Sequence, residues 1–257
     1  MKKKILIFSG IIIGIAVLAG VFFHNTYTVP VLMYHSIDHR DKETKLSVSP
    51  ESFKRQMEFL HKNRYNVVTL DKIVSYIEKK ERIPPRTLAI TFDDGFYNNY
   101  EYAFPVLKKY NIPATFFVIT DKIGVPGWVG WKELKEMSDS GVVTIGSHTV
   151  SHTWLPTTGT KKLKSELTAS KENLEKNLGG SVNFFCYPIG AFDDRVKRAV
   201  KEAGYTCAVS TNPGRLKPAD DRYAIKRIKI SRTSDNLFVF WIETSGLYTW
   251  IKERRDE

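Results

Sequence analysis

The chain has 257 residues, 42% of them apolar and 26% charged, with 16 Gly and 11 Pro. Those proportions are globular and exclude a disordered tail protein and a collagen-like repeat. Two cysteines also exclude a disulfide framework. The net charge of +11 suits an anionic polymer, a membrane surface or nucleic acid. The basic residues are scattered, however, and clusters such as Lys161–Lys162–Lys164 and Lys226–Arg227–Lys229 read as solvated surface.

Residues 5–23 form an uncharged apolar run of 19 residues. At about 1.5 Å per residue this reaches about 28 Å, close to the thickness of a bilayer's hydrocarbon core. Lys2, Lys3 and Lys4 precede the run, which places Met1 in the cytoplasm and the rest outside. The expectation is a transmembrane anchor in residues 1–24 and one exported domain in residues 25–257. A cleaved signal peptide, with Val17 and Ala19 before the cut, is the rival.

Beyond residue 25 strands and helices alternate. Strands are predicted at Val29–Tyr34, Asn66–Thr69, Thr87–Phe92, Ala114–Ile119, Val142–Gly146, Val182–Tyr187, Tyr205–Ser210 and Tyr223–Ile230. Helices are predicted at Pro50–Asn63, Leu70–Lys80, Tyr100–Tyr110 (bent near Pro105), Trp131–Ser140, Lys161–Leu178, Asp194–Ala203 and Asn236–Thr244. The stretch Ile37–Ser49 reads as a polar loop. Alternation of this kind implies a parallel sheet. Seven or eight strands fit an α/β fold, a distorted (β/α) barrel with its site at the C-terminal strand ends.

Residues with chemistry fall at those ends. Thr91–Gly95 (TFDDG) places Asp93 and Asp94 side by side, where like charges repel unless something neutralises them. Ser147–His152 (SHTVSH) places His148 and His152 four residues apart. Two His and one Asp make a metal site with open positions. A divalent ion would relieve the crowding by binding one carboxylate and leaving the other free. His35 ends the first strand. Tyr187–Gly190 (YPIG) ends another, where Pro and Gly bend the chain and expose a backbone N–H.

TFDDG, SHTVSH and YPIG, in that order and separation, resemble the polysaccharide deacetylase family, which shares a nodulation-type chitooligosaccharide deacetylase domain. The resemblance covers about residues 29–240. Val31–Ile37 (VLMYHSI) and Ala103–Val118 are similar to the branch that deacetylates extracellular poly-β-1,6-N-acetylglucosamine. The resemblance implies a distorted (β/α) barrel and a divalent metal, usually Zn2+, on Asp94, His148 and His152. It implies Asp93 as general base and the Ile189 N–H as oxyanion donor, with Tyr187 and Pro188 beside the substrate. Two features depart from the wider family. Cys186 stands where many members carry an Arg that tethers the base, and Ile228–Lys229–Ile230 lacks the usual acid His. The exopolysaccharide branch shares both departures, which makes His35 the implied acid.

Trp128 and Trp131 are candidates for a sugar-stacking wall, with Tyr97 and Trp154 behind them. Cys186 and Cys207 lie on strands read as neighbours, as core thiols rather than a disulfide. The implied partner is an extracellular aminosugar polysaccharide, with peptidoglycan or chitooligosaccharides as the alternative and the membrane reached through the anchor. A non-haem iron oxygenase and a non-catalytic glycan-binding module fit the Asp pair less well, and export argues against nucleic acid.

Overall fold

The computed structural model describes Gly14 and residues 29–39, 46–81, 83–211 and 221–245. Apart from Gly14, the apolar run at 5–23 lies outside those residues. Among the described residues no helix is long and apolar enough to cross a membrane.

Among the described residues there are ten strands. They are β1 (Val31–Tyr34), β2 (Ser36–Ile37), β3 (Ser47–Val48), β4 (Asn66–Val67), β5 (Thr87–Phe92), β6 (Ala114–Val118), β7 (Val143–Ser147), β8 (Phe184–Cys186), β9 (Cys207–Val209) and β10 (Ile228–Lys229). Flanking them among the described residues are the helices α1 (Pro50–Lys62), α2 (Leu70–Lys79), α3 (Phe104–Tyr110), α4 (Trp131–Asp139), α5 (Thr160–Leu178), α6 (Asp194–Glu202) and α7 (Leu237–Thr244). Ser49, Thr69 and Asp193 cap α1, α2 and α6 by accepting from a backbone N–H inside the first turn. Gly179, at φ 79°, ends α5.

All pairings between these strands are parallel, in the order β10-β1-β5-β6-β7-β8-β9, with β4 beside the start of β5. The sheet curls until its two edges meet. One parallel bridge, Val209 to Ile225, closes the seam, with Ser210 N–H donating to Ile225 O at 2.8 Å and Ile225 N–H to Ala208 O at 3.0 Å. The result is an incomplete barrel.

The predicted strands at Val182–Tyr187, Tyr205–Ser210 and Tyr223–Ile230 are too long. Near the seam the ladders last only two or three residues. Within the stretch read as a loop, β2 and β3 pair and bury Ile37 and Val48; strands of two residues carry no readable period. The helix expected from Tyr100 begins as a π-helical turn, Asn99–Ala103, before α3. Pro105 has no N–H for the regular ladder, and Phe104 N–H reaches back to Asn99 O instead.

Side chains alternate along each strand with a period of two. Leu32, Tyr34, Ile90, Phe92, Phe116, Ile228 and Ile230 pack outward against the helices. Val31, Ala89, Phe117, Phe184, Cys186, Cys207, Val209 and Ile225 fill the interior, joined by Leu70, Ile73 and Ile77 of α2 at the end where the strands begin. Register sets Cys207 opposite Phe184 and Cys186 opposite Val209, and both thiols are free and buried. Toward the other end the buried groups turn polar, with Thr91, Asp93 and Arg227 at successive positions.

Candidate active site

β5 alternates inward through Ala89 and Thr91 to Asp93, which is 2% exposed. The strand then ends in a turn with Asp94 at φ 72° and Gly95 at φ 82°. A Cβ on Gly95 would stand 2.9 Å from Val118, so glycine is required there by both space and φ.

A fully buried arginine meets Asp93. Arg227 donates from Nη1 to Oδ1 and from Nη2 to Oδ2, each at 2.7 Å. The guanidinium also donates to Thr91 Oγ1 and Ser210 O, at 2.9 Å each, and to Cys186 Sγ at 3.1 Å. This corrects the reading of Lys226–Arg227–Lys229 as solvated surface. The missed signal was the period of two. Ile228 and Ile230 face the helices, so Ile225, Arg227 and Lys229 face inward, and Lys229 lines the cavity mouth. The tether absent at Cys186 thus arrives from another strand. The small Cys186 thiol lies beside it and donates to Asp93 Oδ2 at 3.6 Å.

Burial alone would raise the proton affinity of Asp93. The Arg227 guanidinium outweighs it and holds the carboxyl well below the usual carboxylate range. Burial and the Asp93 charge together push Asp94 up to about 6. Burial lowers His148 to about 4 and lowers His152 as well, so both imidazoles are neutral at pH 7.

The histidines come from the end of β7. His148 Nδ1 is 2.8 Å from Cys186 O, which fixes the ring and leaves Nε2 facing Asp94 Oδ1 at 3.5 Å. His152 Nε2 stands 3.7 Å from the same oxygen. The ligand atoms of Asp94, His148 and His152 all lie within 4.8 Å of one another. One carboxylate and two neutral imidazoles, one of them orientated by a backbone carbonyl, suit a divalent ion. Asp93, His148 and Cys186 form a second such group, but there Arg227 already occupies a cation's place between carboxylate and sulfur.

His35 follows β1 at the cavity wall. Buried Asn99 holds its backbone, donating to His35 O at 2.6 Å and accepting from Ile37 N–H at 3.2 Å. His35 Nδ1 is buried with no hydrogen-bond partner among the described residues.

These groups share a cavity of about 650 Å³ with Ile189 and Thr211. Ile189 is 61% exposed and left-handed at φ 57°. The turn's own bonds run from Gly190 N–H to Tyr187 O and from Ala191 N–H to Pro188 O. A Cβ on Gly190 would overlap Thr211, so only glycine allows this approach.

The other substrate-side expectations need correction. Tyr187 is buried, its hydroxyl donates to Tyr223 O at 2.9 Å, and its ring stacks on Phe192, so it shapes the turn from behind. Pro188 is buried behind the same turn. Trp131 opens α4 and packs against the core, lining neither this cavity nor its neighbour. Trp128 and Tyr97 line a second cavity, of about 790 Å³, that shares His35, Leu46 and Asp94 with the first. One face of Trp128 is taken by Lys122, whose Nζ stands 5.1 Å from the ring centre.

A parallel barrel with a paired Asp–Arg, an Asp–His–His cluster and an adjoining cleft defines a hydrolytic site of the polysaccharide deacetylase class. Residues 80–208 match the family model described as polysaccharide deacetylase, and the chain belongs to that family of deacetylating hydrolases, whose members use a divalent metal. It is 32% identical over 217 residues to the putative polysaccharide deacetylase YxkH of Bacillus subtilis, covering 84% of this chain and 76% of the relative. It is 34% identical over 204 residues to the poly-β-1,6-N-acetyl-D-glucosamine N-deacetylase of Staphylococcus aureus, covering 74% and 70%. The structure of the Streptococcus pyogenes deacetylase PplD in complex with acetate matches with a TM-score of 0.77 and 27% identity, over 83% of this chain and 97% of that one.

As candidate ligands, Asp94, His148 and His152 predict a pH dependence of metal affinity. Below about pH 6 a proton must leave Asp94 for a metal to bind through it, while His148 stays neutral down to about pH 4. Affinity for an added divalent ion, zinc as the probe, should be flat from pH 8 to about 6 and then fall, by roughly tenfold per pH unit for the Asp94 proton alone. Chelator competition across that range is the measurement, and a fall centred near pH 7 would point to the histidines instead.

Proposed function

We propose that the chain removes N-acetyl groups from poly-β-1,6-N-acetylglucosamine outside the cell. The metal in this reading is Zn2+, with residues 5–23 as the anchor. The observation that carries it is Asp93, held ionised by buried Arg227 beside the Asp94–His148–His152 cluster. The choice of polymer is supported by the Staphylococcus aureus relative and by the branch motifs around His35.

Bound by Asp94, His148 and His152, the metal supplies a Lewis acid that acidifies water and polarises a carbonyl. Asp93 accepts the proton of the attacking water. The Ile189 N–H serves the oxygen that gains charge as the acetyl carbon becomes tetrahedral. His35 gives a proton to the departing amine. Water is consumed, the C–N bond breaks, and acetate and a glucosamine unit leave. The second cavity, which shares His35, Leu46 and Asp94 with the first, takes the neighbouring sugar.

The test is acetate release by the full chain, with zinc or with chelator, from β-1,6-linked N-acetylglucosamine oligomers, β-1,4-linked chitooligomers and peptidoglycan. Zinc-dependent release from the β-1,6 oligomers supports the proposal. Release only from the other two substrates replaces the polymer, and release unaffected by chelation removes the metal. Replacing His35 with Ala should slow release by about 10²–10⁴-fold, the usual worth of a positioned acid, with zinc affinity unchanged. An undiminished rate would assign the acid elsewhere.

A further inference from the structure

The turn that carries His152 is costly to form on its own. Thr149 and His152 are both left-handed, at φ 68° and 57°, where a side chain is strained. Within the turn, Thr149 N–H donates to Ser147 Oγ at 3.3 Å and His152 N–H to Thr149 Oγ1 at 2.9 Å. Val150 and Ser151 N–H point away from the cavity and need acceptors from another element.

Glu166 of α5 supplies them. It is 5% exposed. Its Oε2 accepts from Val150 N–H at 3.0 Å and Ser151 N–H at 2.9 Å, and its Oε1 accepts from Ser151 Oγ at 2.6 Å. One helical turn further, Ser170 Oγ lies 2.6 Å from Ser147 Oγ. The same face of α5 therefore grips both ends of the segment that bears His148 and His152. A buried carboxylate with three donors, and no cation partner among the described residues, is committed to that backbone.

We infer that Glu166 is a positioning residue for the metal: it fixes the 149–152 turn and so sets where His152 Nε2 stands. The inference rests on the reading that Asp94, His148 and His152 hold a divalent ion. Partners that orient a ligand typically account for about 10–100-fold in metal affinity.

The test is a cycle read as zinc affinity, by competition with a chromophoric chelator, on the full chain in detergent. All measurements are made below the melting temperature of each metal-free variant. Replacing Glu166 with Leu should weaken zinc by about 10–100-fold. The conservative change Glu166→Gln, which keeps an acceptor for the two N–H groups, should recover most of that loss. In a His152→Ala background the change to Leu should alter zinc affinity less than twofold, since the group it positions is gone. Ser151→Ala, a milder change, should weaken zinc by a few-fold in the native background only. Equal losses in both backgrounds, or no loss in either, would overturn the inference and leave Glu166 as a fold residue. If His152→Ala by itself leaves zinc affinity unchanged, the metal reading fails, and the inference with it.

Discussion

Replacing Asp93 with Asn should abolish most turnover while the protein still binds one zinc. A positioned general base contributes about 10²–10⁴-fold, and the amide cannot accept the proton. The ligands of the proposed metal stay in place, because His148 is fixed by Cys186 O and not by Asp93. Asn also turns an N–H toward one Nη of Arg227 and forfeits one of its two 2.7 Å bonds. Hydrogen bonds to charged groups are worth about 1.5–3 kcal/mol, so melting temperature falls as well. Acetate release must therefore be compared well below the melting point, alongside zinc stoichiometry. A rate within a few-fold of the native one would take Asp93 out of the base role.

The largest effect on stability is expected at Arg227. Changing it to Met leaves a buried carboxylate without its cation, and breaking a buried pair from one side costs about 3–5 kcal/mol. The sign of the pH dependence should reverse. In the native protein Asp93 binds protons less tightly than in the unfolded chain. The stability it contributes is thus present above the ordinary carboxylate range and lost as pH falls below it. In the variant, burial raises the proton affinity of Asp93 against only the weaker pull of His148 and His35, and stability improves as pH falls from 7 to 5. The double variant Arg227→Met, Asp93→Asn should recover part of the loss, because no charge is left buried. Urea unfolding at pH 7 and pH 5 measures all of this. A single variant as stable as the native chain at pH 7 would show that the pair contributes nothing.

What could be read from the sequence was what is local. TLAITF is apolar on both faces and reads as a buried strand, and the Asp pair at its end follows in the next two residues. His148 and His152 are separated by one turn. Arg227 lies 134 residues from Asp93, inside a run of alternating Lys and Ile that resembles a solvated edge. Only the knowledge that its strand lines a closed interior turns that charge inward. Glu166 was hidden for a similar reason, since on a Lys-rich amphipathic helix each Glu resembles a surface residue. Tyr187 misled in the opposite direction, because a tyrosine in a site motif suggests contact with substrate, whereas this one packs behind the turn.

The single bridge at the seam has a consequence for how the enzyme comes into being. Ile225 makes that bridge, and Arg227 stands two residues beyond it. A chain made from its N-terminus presents Asp93, Asp94 and both histidines long before the arginine emerges, and domains fold as units as they are completed. Until the last strand docks, Asp93 has no counter-ion in the interior. Closing the sheet and pairing the proposed base with its cation are therefore one event, and a chain that ends before Arg227 leaves Asp93 unpaired.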